Sequence, residues 1–260
     1  MLKRIGIIVG LSIYILIVIL LHSVLFCCYP SGRLRIVSRW SRQLGKFLCW
    51  ALGIRVVIEG DVSAVRRNGA VIVANHISYL DGILLGSMFP LLYISKRQVA
   101  SWPFFGLIAV LGSTIFIDRE KKTKVPAYVM KVCDALRQKI NVLVFAEGTS
   151  TNGEQLRPFQ AIHFQAPLLS GAVVVPVVVT YSRIDGQPLT VHNRDAVCWY
   201  GQVPFFSHLL GVLRLRRIEA RVMIYPPWKP KPQTETYTRK DLSVELHSLI
   251  KKSYPLVASA

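Results

Sequence analysis

Apolar residues follow two regimes along the chain. From Ile5 to Cys28 there are twenty-four residues without a formal charge, bracketed by Lys3 and Arg4 on one side and by Arg33 and Arg35 on the other. About 20 apolar residues at ~1.5 Å each cross a ~30 Å hydrocarbon core, so this run predicts a membrane-anchoring helix. A re-entrant or interfacial helix is the competing reading. The run is too long for a removable signal peptide and has no small-residue cleavage site. Next, residues 36–53 (IVSRWSRQLGKFLCWALG) space Arg39, Arg42 and Lys46 at helical intervals opposite Trp40, Leu44, Phe47 and Trp50. That pattern predicts an interfacial helix whose aromatics settle among lipid headgroups; a core-facing amphipathic helix with a solvated basic side fits the same spacing.

After Gly53 the regime changes to short β-branched runs alternating with helical stretches. The predicted strands are RVVIE, AVIVAN, LLYIS, STIFID, NVLVFAE, AVVVPVVVT and ARVMIY. AVVVPVVVT is apolar on both alternating phases and predicts a central strand buried on both faces. Pro176 within it removes a ladder donor, which predicts a strand end or bulge near that residue. In residues 124–139, Val125, Tyr128, Val132 and Leu136 recur at helical spacing ahead of a basic terminus. The Pro-rich PPWKPKPQTETYT leads into a short C-terminal helix ending at Lys251 or Lys252. The predicted architecture is one α/β domain over residues 53–260, preceded by membrane anchor and interfacial helices in residues 1–52.

Composition narrows what such a domain does. The chain has 260 residues, 52% of them hydrophobic and only 18% charged, yet 32 Lys and Arg against 14 Asp and Glu leave it at +18; its mean hydropathy is +0.41. Disorder is excluded, because disordered chains are poor in apolar residues. A multi-span transporter is disfavoured by the dispersal of apolar residues after the first thirty positions. A pI near 10.1 is compatible with nucleic acid, but the cations are scattered, no nucleic-acid motif is present, and an apolar anchor is out of place. Anionic membrane lipids are the better-matched partner. Two basic residues precede the apolar run and five follow it (Arg33, Arg35, Arg39, Arg42, Lys46), so the positive-inside bias places the body at the cytoplasmic face of the inner membrane. Cys27, Cys28, Cys49, Cys133 and Cys198 form no C-x-x-C pair, and neither a disulfide framework nor a metal is expected.

Three clusters at the ends of predicted strands carry the candidate chemistry. The first is NHISYLD, residues 75–81, with Asn75, His76, Ser78 and Asp81. Five residues on one ideal helix separate two side chains by ~140°. His76 and Asp81 therefore meet only if His76 lies in a loop, Ser78 caps a helix and Asp81 sits in its first turn. The carboxylate then fixes the imidazole tautomer and leaves the second ring nitrogen as a base. No G-x-S-x-G elbow exists in the chain, so the hydroxyl to be activated belongs to a substrate. The second cluster, GSTIFIDR, ends in Arg119, either a bidentate phosphate ligand or a solvated cation. The third, FAEGTSTNG, sets Glu147, Gly148 and Thr149 after a strand, where α/β folds bind ligands. SWPFFGLIAVLG, with Trp102, Phe104 and Phe105, is a candidate tunnel for an apolar ligand or a membrane-facing doorway, or an ordinary buried helix.

NHISYLD, GSTIFIDR, FAEGTSTNG and VVVPVVV, in that order, resemble the four motifs of the glycerolipid acyltransferases related to bacterial 1-acylglycerol-3-phosphate acyltransferase, over roughly residues 50–225. The resemblance implies a single α/β domain with a mixed central sheet. It also implies transfer of a fatty acyl group to a lysolipid hydroxyl from acyl-CoA or acyl carrier protein, a co-substrate thioester rather than a cofactor. His76 would be the general base and Asp81 its orienting partner. Asn75, Ser78, Arg119, Glu147, Gly148 and Thr149 would bind substrate, and Lys96 and Arg157 could contact phosphate. The third motif departs from F-P-E-G-T-R-S at Ala146 and Ser150, and Gln160 and Ile162 stand where a Lys and a Gly are common. Two phosphate-gripping cations are thus missing, which admits a different acceptor, such as a lyso-ornithine lipid. A water-using hydrolase and a non-catalytic membrane-surface protein are the rival readings.

Overall fold

The computed structural model describes residues 6, 9–10, 12–14, 16–17, 19–20, 32–66, 69–102, 105–118 and 121–254. Much of the predicted anchor, residues 5–28, lies outside these; its described positions from Gly6 to Leu20 are helical. Among the described residues no helix is long and apolar enough to cross a membrane.

The elements in chain order are α1 (Arg33–Leu52), β1 (Ile54–Gly60), α2 (Ser63–Arg66), β2 (Val71–Ala74), α3 (Tyr79–Met88), β3 (Leu91–Lys96), α4 (Phe105–Leu111), β4 (Ile115–Ile117), α5 (Val125–Arg137), β5 (Asn141–Phe145), α6 (Gln165–Ser170), β6 (Val174–Ile184), β7 (Gln187–Pro188), α7 (Phe205–Val212), β8 (Ile218–Ile224) and α8 (Arg239–Lys252). They build one mixed sheet in the order β1-β8-β6-β2-β5-β3-β4, with β7 a short hairpin partner of β6. Strands β6, β2, β5, β3 and β4 run parallel, whereas β1 and β8 run parallel to each other and against β6.

The two-phase apolar pattern of the central strands has a direct cause. Ile72 and Ala74 of β2 and Val175, Val177, Val179 and Tyr181 of β6 enter the core on the face covered by α1 and α3. Val71 and Val73 of β2 and Val174 and Val178 of β6 enter the core under α5, α6 and α8. Each fully buried branched side chain contributes roughly 1.5–3 kcal/mol relative to exposure, so both phases have to be apolar.

Pro176 lies inside β6, paired in register with Val73, not at a strand end. The amide of Val174 points to Trp228 on the β8 side. Residue 176, two further on, would point its donor the same way. There β8 ends at Ile224; the Tyr225 amide still donates to the Pro176 carbonyl (3.0 Å), and the next pairing is the isolated Val174–Trp228 bridge. The missing donor thus coincides with an interruption of the partner chain.

Helix α1 is amphipathic and core-facing, the second of the two readings its spacing admits. Its buried line, Val37, Leu44, Gly45 and Cys49, faces the interior. A Cβ on Gly45 would lie 2.7 Å from the Ser87 amide nitrogen, so only glycine lets α1 approach α3 this closely. Trp50, by contrast, is 78% exposed.

Candidate active site

The chain leaves β2 at Ala74, and the next residues are tied before α3 begins. Asn75 is wholly buried. Its amide nitrogen donates to the Val179 carbonyl (2.9 Å) and its amide oxygen accepts from the Val179 amide (2.7 Å), continuing the β2–β6 ladder through a side chain. The His76 amide donates to Glu147 Oε1 (2.7 Å), and the His76 carbonyl accepts from the Thr151 amide (2.9 Å). Ser78 caps α3, and Asp81 completes a capping box as the third residue of that helix.

Asp81 is the centre of the arrangement. It is 0% exposed and accepts from four donors. Oδ2 takes His76 Nδ1 (2.9 Å), the Ile77 amide (2.7 Å) and the Ser78 amide (2.9 Å); Oδ1 takes the Tyr181 hydroxyl (2.7 Å). A buried carboxylate needs such partners. Burial first, then the Asp81 charge, holds the Tyr181 phenol well above its ordinary pKa, so Tyr181 remains a donor. With Nδ1–H directed at Asp81, the lone pair of the imidazole is on Nε2, which has no protein partner among the described residues. The His76 side chain is 19% exposed and its ring stacks on Phe145 at 4.0 Å and 12°. Orientation, tautomer and ring plane are all constrained, and one basic nitrogen faces outward.

Glu147 occupies the turn after β5, where Gly148 has φ 76°, a conformation that excludes most side-chain-bearing residues. The Glu147 carboxylate turns inward. It is 3% exposed, with Oε1 on the His76 amide and Oε2 on the Arg157 amide (2.9 Å). Burial outweighs these two donors and pushes its pKa up to about 7.

The predicted loop–cap–first-turn placement of His76, Ser78 and Asp81 is the geometry observed. Asn75, Ser78 and Glu147, expected to bind substrate, have side-chain polar atoms engaged with the backbone, and these bonds hold the loop that carries His76. Thr149 is half-buried beside them, while Lys96 ends β3 at the same sheet edge and is exposed, as is the Arg157 side chain. Arg119 and Phe104 lie outside the described residues. Among the described residues no three His, Cys, Asp or Glu side chains form a metal-binding group.

Sequence reasoning missed Tyr181, although it is in phase with Val175, Val177 and Val179 and so faces the same side of β6. It also missed the link from α3 to α7. Tyr79 donates its hydroxyl proton to His208 Nδ1 (3.1 Å), His208 Nε2–H donates to the Cys198 carbonyl (3.1 Å), and the Trp199 amide donates to the Ile77 carbonyl (2.9 Å). Trp102, Trp199, Phe205 and Tyr79 pack edge-on or tilted around this link at 5.0–6.0 Å. Trp102, Leu107, Val110, Phe206 and Leu210 are exposed. Helix α4 is therefore not an ordinary buried helix, and Trp102 packs on Trp199, whose amide is tied to the His76 loop.

The carboxylate-held imidazole stands outside the carboxyl ends of parallel strands, where α/β folds place their ligand sites. The chain belongs to the acyltransferase family. The family described as Acyltransferase matches residues 55–180. A lyso-ornithine lipid O-acyltransferase of Rhizobium meliloti (strain 1021) is 30% identical over 221 residues, covering 82% of this chain and 74% of the relative. A 1-acyl-sn-glycerol-3-phosphate acyltransferase of Neisseria gonorrhoeae is 33% identical over 193 residues, covering 74% and 71%. The fold is similar to that of the 1-acyl-sn-glycerophosphate (LPA) acyltransferase PlsC from Thermotoga maritima, with a TM-score of 0.60 at 18% identity over 97% of this chain and 96% of the other.

Proposed function

We propose that this acyltransferase esterifies the hydroxyl of a lysolipid with a fatty acyl group from a thioester, acyl-CoA or acyl carrier protein, at the cytoplasmic face of the inner membrane. The observation that carries the mechanism is the outward Nε2 of an imidazole whose Nδ1–H is held by Asp81. Nε2 removes the acceptor hydroxyl proton as the oxygen attacks the thioester carbonyl. The tetrahedral intermediate collapses with cleavage of the C–S bond, and the imidazolium returns the proton to the departing thiolate. The products are an ester and a free thiol, with no acyl-enzyme and no metal. General base catalysis of this kind contributes typically 10²- to 10⁴-fold. The exposed apolar side chains of Trp102, Leu107, Val110, Phe206 and Leu210 support entry of lipid from a membrane to this site.

The acceptor is a 1-acylglycerol-3-phosphate or a related lysolipid. Ser150 and Gln160, standing where a cation is common in the motif, favour testing a lyso-ornithine lipid beside it. Purified protein given a labelled thioester and a panel of both acceptors, with products identified by mass spectrometry, tests the assignment. A diacyl product is expected, and its headgroup names the acceptor. Free fatty acid released equally with and without acceptor would instead assign a hydrolase.

A further inference from the structure

A second cationic feature lies at the opposite end of the parallel strands from His76. A cavity of ≈ 1000 Å³ opens among Arg35, Arg39 and Arg42 of α1, Arg66 of α2, Arg137 at the end of α5 and Lys139 just after it. His76 follows the C-terminal end of β2, whereas Lys139 and Ile140 precede β5 and Phe89 and Pro90 precede β3. A strand rises roughly 3.3 Å per residue, so the buried lengths of β2 and β5 separate the two places. An anion held in the cavity is not the one whose acyl group reacts.

Among the described residues no acidic side chain lines this cavity. Arg137 is paired with Asp134 at 2.6 Å; no carboxylate among the described residues pairs with the other five. Arg35 gives one bond to the Gln138 carbonyl (3.1 Å) and Arg42 one to the Ser87 carbonyl (3.4 Å). Each guanidinium has five N–H donors, so these single bonds aim the groups without exhausting them. Arg35, Arg39 and Arg42, spaced by four and three residues, form one stripe of α1. Val65, Phe89 and Ile140 are buried beneath the cations. Lys139 has φ 58°, a left-handed conformation uncommon for any residue but glycine and asparagine. A wide mouth of cations, five of six without a carboxylate partner among the described residues, over an apolar floor matches a phosphate-bearing polyanion.

The flank of α1 says where such a phosphate comes from. A Cβ on Gly10 would meet the Phe47 ring, so the N-terminal helical segment lies against α1. That segment exposes Val9, Ile13, Leu16, Ile17, Ile19 and Leu20. An exposed apolar helix and a stripe of arginines thus share one supporting helix, which places headgroup chemistry next to acyl-chain chemistry.

We infer that this cavity is a binding site for the phosphate headgroups of anionic membrane lipids, distinct from the acyl-transfer site and independent of the acceptor assigned above. The test uses the full chain and its flotation with vesicles of phosphatidylcholine alone or with a fraction of phosphatidylglycerol. The ratio of the two partition coefficients cancels the contribution of the apolar segment. A Lys or Arg near an anionic surface contributes about fivefold to binding. The triple variant Arg39→Gln, Arg42→Gln, Lys139→Gln is therefore expected to lose on the order of a hundredfold in that ratio. A control triple on the other face, Lys229→Gln, Lys240→Gln, Lys251→Gln, keeps most of it. Equal losses in both triples would overturn the site in favour of diffuse surface charge. Should the cavity triple melt early, its three single variants each lower the ratio about fivefold; unchanged ratios would overturn the site equally. Inorganic phosphate that abolishes the wild-type ratio and raises the melting temperature as much as anionic vesicles do would assign a soluble phosphate and overturn the lipid source.

Discussion

The two ends of the parallel strands handle charge in opposite ways. After β2 and β5, the Asp81 carboxylate has four donors and the Glu147 carboxylate two, and both are almost without solvent contact. Before β3 and β5, the cations of the basic cavity stand open, five of six without a carboxylate partner among the described residues. The first end is preorganised: its polar groups are placed before any ligand arrives, and little has to reorganise during reaction. The second end holds a field, whose effect depends on salt and on what approaches. Losses at the first end should therefore appear as rate, and losses at the second as binding.

The largest effect is expected at Asp81. Asp81→Asn leaves a group of the same size but removes the charge that fixes the His76 tautomer and receives two amide donors. Acyl-transfer rate should fall about 10²- to 10⁴-fold, read as kcat with the thioester saturating. A variant that folds and keeps its rate would erase the contrast between the two ends. Glu147→Gln comes next, because an amide cannot accept from both the His76 and Arg157 amides. A buried donor without an acceptor costs roughly 1–3 kcal/mol, and the displaced His76 loop should lower kcat by about tenfold or more.

Glu147 also predicts a pH dependence of stability. Its folded pKa of about 7 lies above the ordinary value of 4.5, so between these values the native state holds a proton that the unfolded state releases. Stability therefore falls as pH rises from about 4.5 to about 7, by up to ~3 kcal/mol, and is level above. Denaturant titrations across this window should show the slope in the wild type and not in Glu147→Gln. A slope retained in the variant would assign it to another group.

Tyr181→Phe is a smaller change at the same end. It removes one donor to a charged acceptor, worth about 1.5–3 kcal/mol, while three others remain on Asp81. A modest fall in melting temperature and a rate loss near tenfold are expected. The smallest catalytic effect belongs to the other end: Arg39→Gln with Arg42→Gln should leave kcat on a soluble short-chain acceptor within about twofold, because neither side chain reaches the His76 loop. A large kcat loss there would mean that the two ends are coupled.

What the sequence made legible follows the same division. The five-residue separation of His76 and Asp81 admits one local geometry, so that pair could be placed from spacing alone. Strand order could not: β8 pairs with β1 across 164 positions and turns against β6 across 34 to 47, contacts that no local pattern encodes. Glu147 was legible as a strand-end carboxylate but not in the direction it turns, which is set by the His76 and Arg157 amides in space. Pro176 looked like a strand end because the interruption belongs to its neighbour, β8. The basic cavity was legible only in its α1 part, the helical spacing of Arg39 and Arg42, because Arg66, Arg137 and Lys139 join it from two other stretches of chain.

The acyl-transfer account rests on one nitrogen, His76 Nε2. The direct test is product formation from a labelled acyl thioester and a lysolipid by the wild type and by His76→Ala, each shown to be folded by its melting transition. The account predicts diacyl lipid and stoichiometric free thiol from the wild type, with at least a hundredfold slower transfer by the variant. A folded His76→Ala protein that transfers acyl groups at the wild-type rate would contradict it.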